Sequence, residues 1–203
     1  MSEPAHYTRT ASEFLGRRPL PTVIRDRSLV FLFGPGGVGK TTVAARLAQA
    51  RATPGTVVEP LVVDGPALRA HLVGRARNGR FAAPLEHAPS LIVDGVDCLY
   101  GREGAVGFFG GLLGTRCAAG HRTVVVQGCA DDSLALLYSS VPPECRASVL
   151  LRFPVGRGRR RFVQAECRER GVPFTAARGL VTAEPWTYAG IRASIAMLVA
   201  GEG

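Results

Sequence analysis

Lysine is almost missing from this sequence of 203 residues. Lys and Arg together number 25, and 24 of these are arginine, which leaves Lys40 as the single lysine. The guanine-recognition motif Asn/Thr-Lys-x-Asp needs a lysine, but Lys40 is preceded by glycine and followed by two threonines. The sequence therefore excludes a GTPase of that class. A chain that uses arginine so heavily is expected to keep lysine only where a compact ammonium is required.

Long apolar stretches, a leader segment and paired cysteines are missing as well. No apolar run approaches the roughly 18 residues that cross a bilayer, and residues 1–13 are too polar for a signal peptide. The cysteines show no Cys-x-x-Cys spacing, which argues against a disulfide framework or a zinc site. We therefore expect a cytoplasmic protein with no membrane partner. The five cysteines are Cys98, Cys117, Cys129, Cys145 and Cys167.

What the sequence does carry is positive charge. The formal net charge is +9 and the isoelectric point is about 10.2. Such a balance suits a nucleic acid, an anionic lipid or an acidic protein partner, and it is equally expected of a chain from an arginine-rich proteome. The densest basic cluster could bind DNA phosphates without sequence preference, or it could form the solvated first turn of a helix. Its arginines are Arg157, Arg159, Arg160 and Arg161.

The single lysine falls inside a glycine-rich stretch that matches the phosphate-binding loop pattern Gly-x-x-x-x-Gly-Lys-Ser/Thr. An apolar run at 29–33 precedes it, and apolar residues at helical spacing follow it, so the loop lies on a strand-to-helix turn. Backbone N–H groups there surround phosphate oxygens, Lys40 reaches the β and γ phosphates, and the Thr41 hydroxyl ligates Mg²⁺. We predict an ATP site. Its residues are Gly34, Pro35, Gly36, Gly37, Val38, Gly39, Lys40, Thr41 and Thr42.

The rest of the chain alternates between predicted strands and helices. This pattern indicates an α/β fold, a P-loop NTPase with a mostly parallel sheet flanked by helices. After Pro154 only helical patterns follow, so we predict a nucleotide-binding core at 1–154, with a lead-in at 1–28, and a small all-helical lid at 155–203. The predicted strands are 29–33, 57–63, 91–93, 123–126 and 149–153. The predicted helices are 41–50, 67–77, 105–119, 131–138, 157–170, 175–182 and 187–200.

A second motif follows the P-loop by about 54 residues. The apolar segment 90–93 ends in Asp94, which is the arrangement of a Walker B strand. We predict that Asp94 orients Mg²⁺ together with Thr41, from the carboxyl end of a strand next to the P-loop strand. Many strands end in aspartate, so it is the preceding P-loop that gives this motif its meaning.

Several segments resemble the AAA+ ATPases of the bacterial replication-initiator (DnaA) type and its short regulators. Residues 91–103 resemble the Walker B region of that family, 168–174 resemble the first helix and turn of its lid, and 190–195 resemble its sensor-2 helix. The resemblance covers about residues 28–200. It implies an AAA+ fold, binding of ATP and Mg²⁺, and contact between Arg192 and the γ-phosphate.

The sequence departs from that family at its catalytic positions. The family has a second acid directly after the Walker B aspartate, where this chain has Gly95. Asp97 would share a side with Gly95 on an extended segment, so it is a candidate for a shifted catalytic acid. At the sensor-1 position Gln127 is a poor substitute for the family's polar residue. Arg146 or Arg152 would serve as the arginine finger, without the family's paired spacing.

These observations favour an ATP-binding switch or adaptor with slow or absent hydrolysis, linked to DNA replication or its regulation. A protein partner or a homo-oligomer is expected. Two alternatives stay open at this point: a P-loop kinase for a small molecule, and a pseudo-ATPase that serves purely as a protein-interaction module. Gly95 favours the latter over a fast enzyme.

Overall fold

The computed structural model of this chain describes residues 5–11, 20–49, 59–128, 137 and 140–201. Several sequence predictions fall partly outside these ranges. The residues concerned are 131–136 and 138 of the helix at 131–138, the first two residues of the strand at 57–63, residue 50 of the helix at 41–50, residues 1–4 and 12–19 of the lead-in, and residues 202–203 of the lid.

Six strands form one parallel sheet in the order β1-β6-β2-β5-β4-β3. Parallel strands all end on one side of a sheet, so the molecule has a carboxyl edge, with Phe33, Asp94, Gln127 and Arg152, and an opposite amino edge, with Leu29, Ser90, Arg122 and Arg146. The strands are β1 Ala5–Thr10, β2 Leu29–Phe33, β3 Leu61–Asp64, β4 Ser90–Asp94, β5 Arg122–Gln127 and β6 Arg146–Arg152.

Both faces of the sheet are covered, which explains why the central strands are apolar throughout. In β2, Val30 and Leu32 belong to one buried cluster, whereas Leu29, Phe31 and Phe33 belong to the other. This alternation is the period of two that an extended chain imposes on its side chains. The sheet therefore separates two cores, and β2 contributes to both.

Eight α-helices and three short 3-10 segments lie among the described residues. The helices are α1 Thr22–Arg25, α2 Lys40–Gln49, α3 Gly65–Asn78, α4 Ala83–His87, α5 Glu103–Ala118, α6 Arg157–Arg170, α7 Phe174–Ala177 and α8 Tyr188–Gly201. The 3-10 segments are Val96–Leu99, Pro143–Cys145 and Arg178–Val181. Among these helices, none is long and apolar enough to cross a membrane.

Local signals place the ends of α3. The Asp64 side chain accepts a hydrogen bond of 2.9 Å from the backbone N–H of Ala67, which caps the first turn. Gly79 follows the last turn in the left-handed conformation, with φ of 73°, which favours glycine. The predicted helix at 67–77 is therefore confirmed and extends slightly in both directions.

Three expectations need correction. No strand is predicted within the lead-in at 1–28, but β1 at Ala5–Thr10 joins the sheet beside β6. The strand β4 that ends in Asp94 is not next to the P-loop strand, because β5 lies between β2 and β4. The predicted helix at 175–182 is one α-helical turn, α7, continued as a 3-10 segment. The first two depend on which strands pair across the chain, which local patterns do not encode.

After Pro154 the described chain to residue 201 is helical, as predicted. The helices α6 and α8 pack against each other and against the sheet face that carries α2, because Val163, Trp186 and Ile195 share one buried cluster with Val30 and Leu47. The lid is thus joined to the layer that holds the P-loop helix. Trp186 is nearly fully buried within this contact.

Candidate functional site

The glycine-rich loop leaves the carboxyl end of β2 and leads directly into α2, whose first residue is Lys40. The Lys40 Nζ atom donates hydrogen bonds to the carbonyl oxygens of Gly34 at 2.6 Å and of Pro35 at 2.9 Å. The ammonium is therefore folded back over its own loop and held by two neutral acceptors. Phosphate oxygens are stronger acceptors for an ammonium than carbonyl groups, so this arrangement can exchange.

Burial also affects the charge on Lys40. Loss of water around the ammonium lowers the pKa of Lys40, while the carboxylates of Asp94 and Asp97 act in the opposite direction. The two aspartates are thus close enough to influence the lysine. A cation deprived of part of its hydration gains from an incoming anion.

Thr41 and Asp94, the two residues predicted to hold Mg²⁺, are in direct contact. The Thr41 hydroxyl donates a hydrogen bond of 2.8 Å to the Oδ2 atom of Asp94, although 53 positions separate them in the chain. Thr41 lies in the first turn of α2, whereas Asp94 ends β4, so the fold brings both oxygens to the carboxyl edge. A hydroxyl and a carboxylate in contact form a donor set of the kind that Mg²⁺ prefers.

The start of α8 and Thr187, the residue just before it, lie directly on the loop, which the sequence did not indicate. A Cβ atom placed on Gly37 would lie 2.9 Å from the Cβ of Thr187, so only glycine fits there, and its φ of 72° also favours glycine. A Cβ on Gly39 would lie 3.8 Å from the Tyr188 ring and 3.1 Å from Ala11 of the lead-in. No local signal marks Thr187, Tyr188 or Ala11, since their roles arise from packing.

The segment after Asp94 differs from the expectation. Gly95 has φ of 85°, and a 3-10 helix follows at Val96–Leu99, so the chain turns sharply instead of running extended. The expected extended geometry, in which Asp97 shares a side with Gly95, is therefore wrong. An aspartate is tolerated at such a left-handed position better than a glutamate.

Asp97 is engaged in hydrogen bonds at the carboxyl edge. Its two carboxylate oxygens accept from the backbone N–H of Gly128 at 3.1 and 2.9 Å, and Oδ1 also accepts from the Tyr100 hydroxyl at 2.8 Å. The Gln127 side-chain amide donates to the Tyr100 hydroxyl at 3.3 Å. These contacts join the ends of β4 and β5. The catalytic role of Asp97 stays a prediction.

The structure places the two arginine-finger candidates at opposite ends of one strand. Arg146 begins β6 at the amino edge and is partly buried, whereas Arg152 ends β6 at the carboxyl edge and is exposed. Arg152 thus lies on the side of the sheet that carries the P-loop. Which of the two acts across a subunit boundary stays a prediction.

Arg192, predicted to sense the γ-phosphate, lies on the second turn of α8. Its Nε atom donates a hydrogen bond of 2.8 Å to the Oε1 atom of Glu166, and its guanidinium lies 5.6 Å from the centre of the Phe162 ring. The side chain remains 56% exposed. The structure therefore holds Arg192 within the lid, one helical turn from Tyr188, and its contact with phosphate stays a prediction.

The basic cluster divides into two parts. Arg159 points inward, since it donates to the Pro154 carbonyl and to Glu184 and lies over the Trp186 ring at 5.2 Å. The other three arginines are exposed on the first turns of α6, and within the described ranges none forms an ion pair. They are Arg157, Arg160 and Arg161. No group of three metal-ligating side chains occurs in the described part of the chain.

The fold and the site can now be compared with those of known proteins. Neither the family models nor the curated proteins give a match. Solved structures do. Domain III of the Thermotoga maritima replication initiation protein DnaA superposes with a TM-score of 0.66 at 14% identity, covering 88% of this chain and 78% of that one. A replication initiator DnaA bound to AMPPCP and single-stranded DNA gives 0.64 at 14% identity, covering 84% and 55%.

These similarities establish the fold. The chain has an α/β fold similar to that of domain III of DnaA, with a parallel sheet flanked by helices and a helical C-terminal part. The fold class predicted from the sequence is confirmed, and so is the resemblance to the replication-initiator type at the level of the fold. The chain spans 55% of the length of the first two solved structures it matches.

Proposed function

We propose that this protein binds ATP with Mg²⁺ at the P-loop and acts as a nucleotide-controlled switch or adaptor with slow or absent hydrolysis. The observation that carries the proposal is the convergence of Lys40, Thr41 and Asp94 at the carboxyl edge, with Thr41 and Asp94 in direct contact at 2.8 Å. Two DnaA structures with the same fold are bound to AMPPCP, an analogue of ATP. They support the choice of nucleotide.

The residues present fit a magnesium ion bound with the nucleotide. The Thr41 hydroxyl would be a direct ligand, and Asp94 would hold the ion through its water shell. When bound, Mg²⁺ neutralises charge on the β and γ phosphate oxygens. Lys40 would leave the Gly34 and Pro35 carbonyls and donate to phosphate, while the amides of the loop orient the anion.

Slow hydrolysis rests on two features of the Walker B segment. Gly95 stands where the related ATPases carry a water-activating acid and has no side chain. Asp97, the replacement considered above, has its carboxylate occupied by Gly128 and Tyr100. Loss of a general base usually lowers a rate by about 10²- to 10⁴-fold. The geometry therefore supports an ATP-bound state that is long-lived because hydrolysis is slow.

Calorimetry of ATP and ADP binding, combined with phosphate release, tests this proposal. Lys40→Ala should weaken ATP binding by about 100-fold, because a charge-assisted contact contributes about 3 kcal/mol. Arg168→Ala, which removes a charge from an exposed site on α6, is the matched control and should bind ATP as the wild type does. Equal ATP affinity in the wild type and Lys40→Ala would refute the site.

Turnover distinguishes a switch from an enzyme. We expect a rate below about 1 s⁻¹, the lower end for typical enzymes. Asp97→Asn keeps one oxygen that can accept from Gly128 and Tyr100 but removes the base, so it should change turnover little. A loss of about 100-fold or more in that variant would instead identify Asp97 as the general base.

A pure interaction module that keeps nucleotide as a structural ligand is the second candidate, and the occupied Asp97 favours it as well. ATP and ADP binding with equal affinity would favour this candidate over the switch. The kinase alternative predicts transfer of phosphate to a small acceptor. In that case ATP would be consumed without release of free phosphate.

The partner is proposed to be DNA or another protein in replication. A DnaA with the same fold is bound to single-stranded DNA. In this chain the exposed arginines Arg157, Arg160 and Arg161 would supply phosphate contacts, whereas Arg159 is committed to the lid. Replacing these three by alanine should reduce the salt dependence of DNA binding by about 2 in log–log slope, since each phosphate contact contributes about 0.7–0.9. An unchanged slope would exclude this surface as the DNA site.

A further inference from the structure

A buried carboxylate in the lid links the two helices that flank it. Glu166 lies in the middle of α6 and is 5% exposed. Its Oε1 atom accepts a hydrogen bond of 2.8 Å from Arg192 of α8, and its Oε2 atom accepts one from Arg170, one turn further along α6. Burial, the largest influence on Glu166, opposes its ionisation, but the hydrogen bonds from Arg192 and Arg170 outweigh it and hold the pKa of Glu166 below its usual value.

The two arginines differ in how easily they can leave. The Arg192 side chain is 56% exposed and comes from a different helix. The Arg170 side chain is 30% exposed, sits at i+4 from Glu166 and also lies 3.4 Å from the Glu166 carbonyl oxygen. Water can replace the lost contact of the exposed arginine at little cost, whereas a buried carboxylate must keep a partner. Arg192 is therefore the exchangeable partner and Arg170 the permanent one.

Arg192 lies on the same face of α8 as the residue that packs against the P-loop. Tyr188 precedes it by four residues, so the two side chains lie on one face of α8, about 5.4 Å apart along its axis. Both contact Phe162, with centroid distances of 4.6 Å for the Tyr188 ring and 5.6 Å for the Arg192 guanidinium. The Tyr188 ring in turn lies against Gly39 of the loop. One helical turn thus separates Arg192 from Tyr188, the residue of α8 that lies against the loop.

We propose that Glu166 competes with the γ-phosphate of ATP for Arg192 and so sets how strongly the protein distinguishes ATP from ADP. The inference rests on the proposed function, since it needs a nucleotide at the P-loop. When ATP is bound, Arg192 leaves Oε1 of Glu166 for the γ-phosphate, and Arg170 keeps the buried carboxylate paired. When ADP is bound, Arg192 stays on Glu166. Glu166 is then a positioning residue that acts through Arg192.

The competition makes two variants shift in opposite directions. Glu166→Gln removes the competing charge, so the ratio of ATP to ADP affinity should rise, by about 5-fold or more if the coupling is of typical allosteric size. Arg170→Ala leaves Arg192 as the remaining arginine on Glu166, so Arg192 is held more tightly and the ratio should fall. If the contacts of Glu166 only stabilise the lid, both variants should be less stable than the wild type. Neither variant should then change the ratio of ATP to ADP affinity.

Calorimetric titration of ATP and of ADP into the full chain decides between these outcomes. Arg168→Ala, two residues from Glu166 on the same helix but exposed, is the control and should leave the ratio unchanged. Opposite shifts in Glu166→Gln and Arg170→Ala support the competition. Shifts of the same sign, or none, overturn it while leaving ATP binding at the P-loop intact.

Two further outcomes are distinguishable. If the wild type binds neither nucleotide, both the proposed function and the competition are refuted. If circular dichroism shows that Glu166→Gln does not fold, Arg170→Ala carries the test alone. A lower ratio in Arg170→Ala then supports the competition, and an unchanged ratio refutes it.

Discussion

The two edges of the sheet use the same kind of contact, a cation on backbone carbonyls, with opposite consequences. At the amino edge Arg116 is fully buried and makes five hydrogen bonds, four to carbonyl oxygens and one to the Thr123 hydroxyl. At the carboxyl edge Lys40 is partly buried and makes two. A guanidinium whose five N–H groups all donate hydrogen bonds is a fixed part of the fold. An ammonium that makes two hydrogen bonds with three N–H groups can exchange its acceptors more easily.

A second arginine reinforces the amino edge. Arg122, at the start of β5, donates from Nε to the Leu47 carbonyl at 2.9 Å and from Nη1 to the carbonyls of Ile24 and Arg27. These bonds connect β5 to the end of α2 and to α1. Arg116 uses the Arg122 carbonyl in turn. Some of the arginines of this chain are therefore buried structural residues. The net charge overstates the positive charge that the surface offers to a polyanion.

The largest loss of stability is expected from a substitution at Arg116. Arg116→Met should lower the free energy of unfolding by about 3–5 kcal/mol, the usual cost of removing one partner from a buried charged network. Four carbonyls around the site would lose their donor. Burial lowers the pKa of Arg116 to about 10, so the guanidinium stays charged at neutral pH and its loss is felt there. Urea denaturation measures the change.

Arg168→Met is the matched control for Arg116→Met, because it makes the same exchange at an exposed position on α6. Its stability should stay within about 0.5 kcal/mol of the wild type. If Arg116→Met proved as mild as the control, the amino edge would be no more fixed than the carboxyl edge and the contrast between them would fail.

An intermediate effect is expected where the lid meets the loop. Gly37→Ala introduces a Cβ 2.9 Å from Thr187 at φ of 72°, and a left-handed residue other than glycine costs about 1–2 kcal/mol before the clash is counted. Gly36 is the matched control, since it is exposed and a Cβ there meets nothing within 4 Å. Denaturation without nucleotide should show Gly37→Ala to be less stable and Gly36→Ala nearly unchanged. Equal stability would mean that α8 does not rest on the loop.

A pH dependence is expected from Glu166. Its pKa is lowered in the folded state, so its contribution to stability is present above the unfolded value, about 4.3, and is lost as pH falls through the folded pKa. The stability difference between wild type and Glu166→Gln should therefore be constant near neutrality and shrink below about pH 4. Thermal unfolding across this range measures it. A difference that grows toward acid pH would contradict the ion-paired carboxylate.

The elements that could be predicted from sequence are those whose cause is local. The strand-loop-helix context of Lys40 and the helix predicted at 67–77 are encoded within a few residues, and the structure confirms both elements. The position of Asp97 was predicted wrongly, because the turn at Gly95 depends on how β4 meets its neighbours. The buried state of Arg116 and the contact of Thr187 with Gly37 join distant parts of the chain, so no local pattern marks them.

The smallest change in the free energy of unfolding is expected at Lys40, the carboxyl-edge residue that is compared with Arg116. Without nucleotide, Lys40→Ala removes two hydrogen bonds, one of them on the exposed part of the loop, and water can replace the donor. Burial lowers the pKa of Lys40, so the folded state disfavours its charge, and removing that charge offsets part of the loss. The free energy of unfolding should change by about 1 kcal/mol or less. Urea denaturation without nucleotide and calorimetry with ATP, run on the same variant, should give a stable protein that no longer binds ATP tightly. A loss of stability comparable to that of Arg116→Met would make Lys40 a fixed part of the fold, and its exchange onto phosphate would no longer be supported.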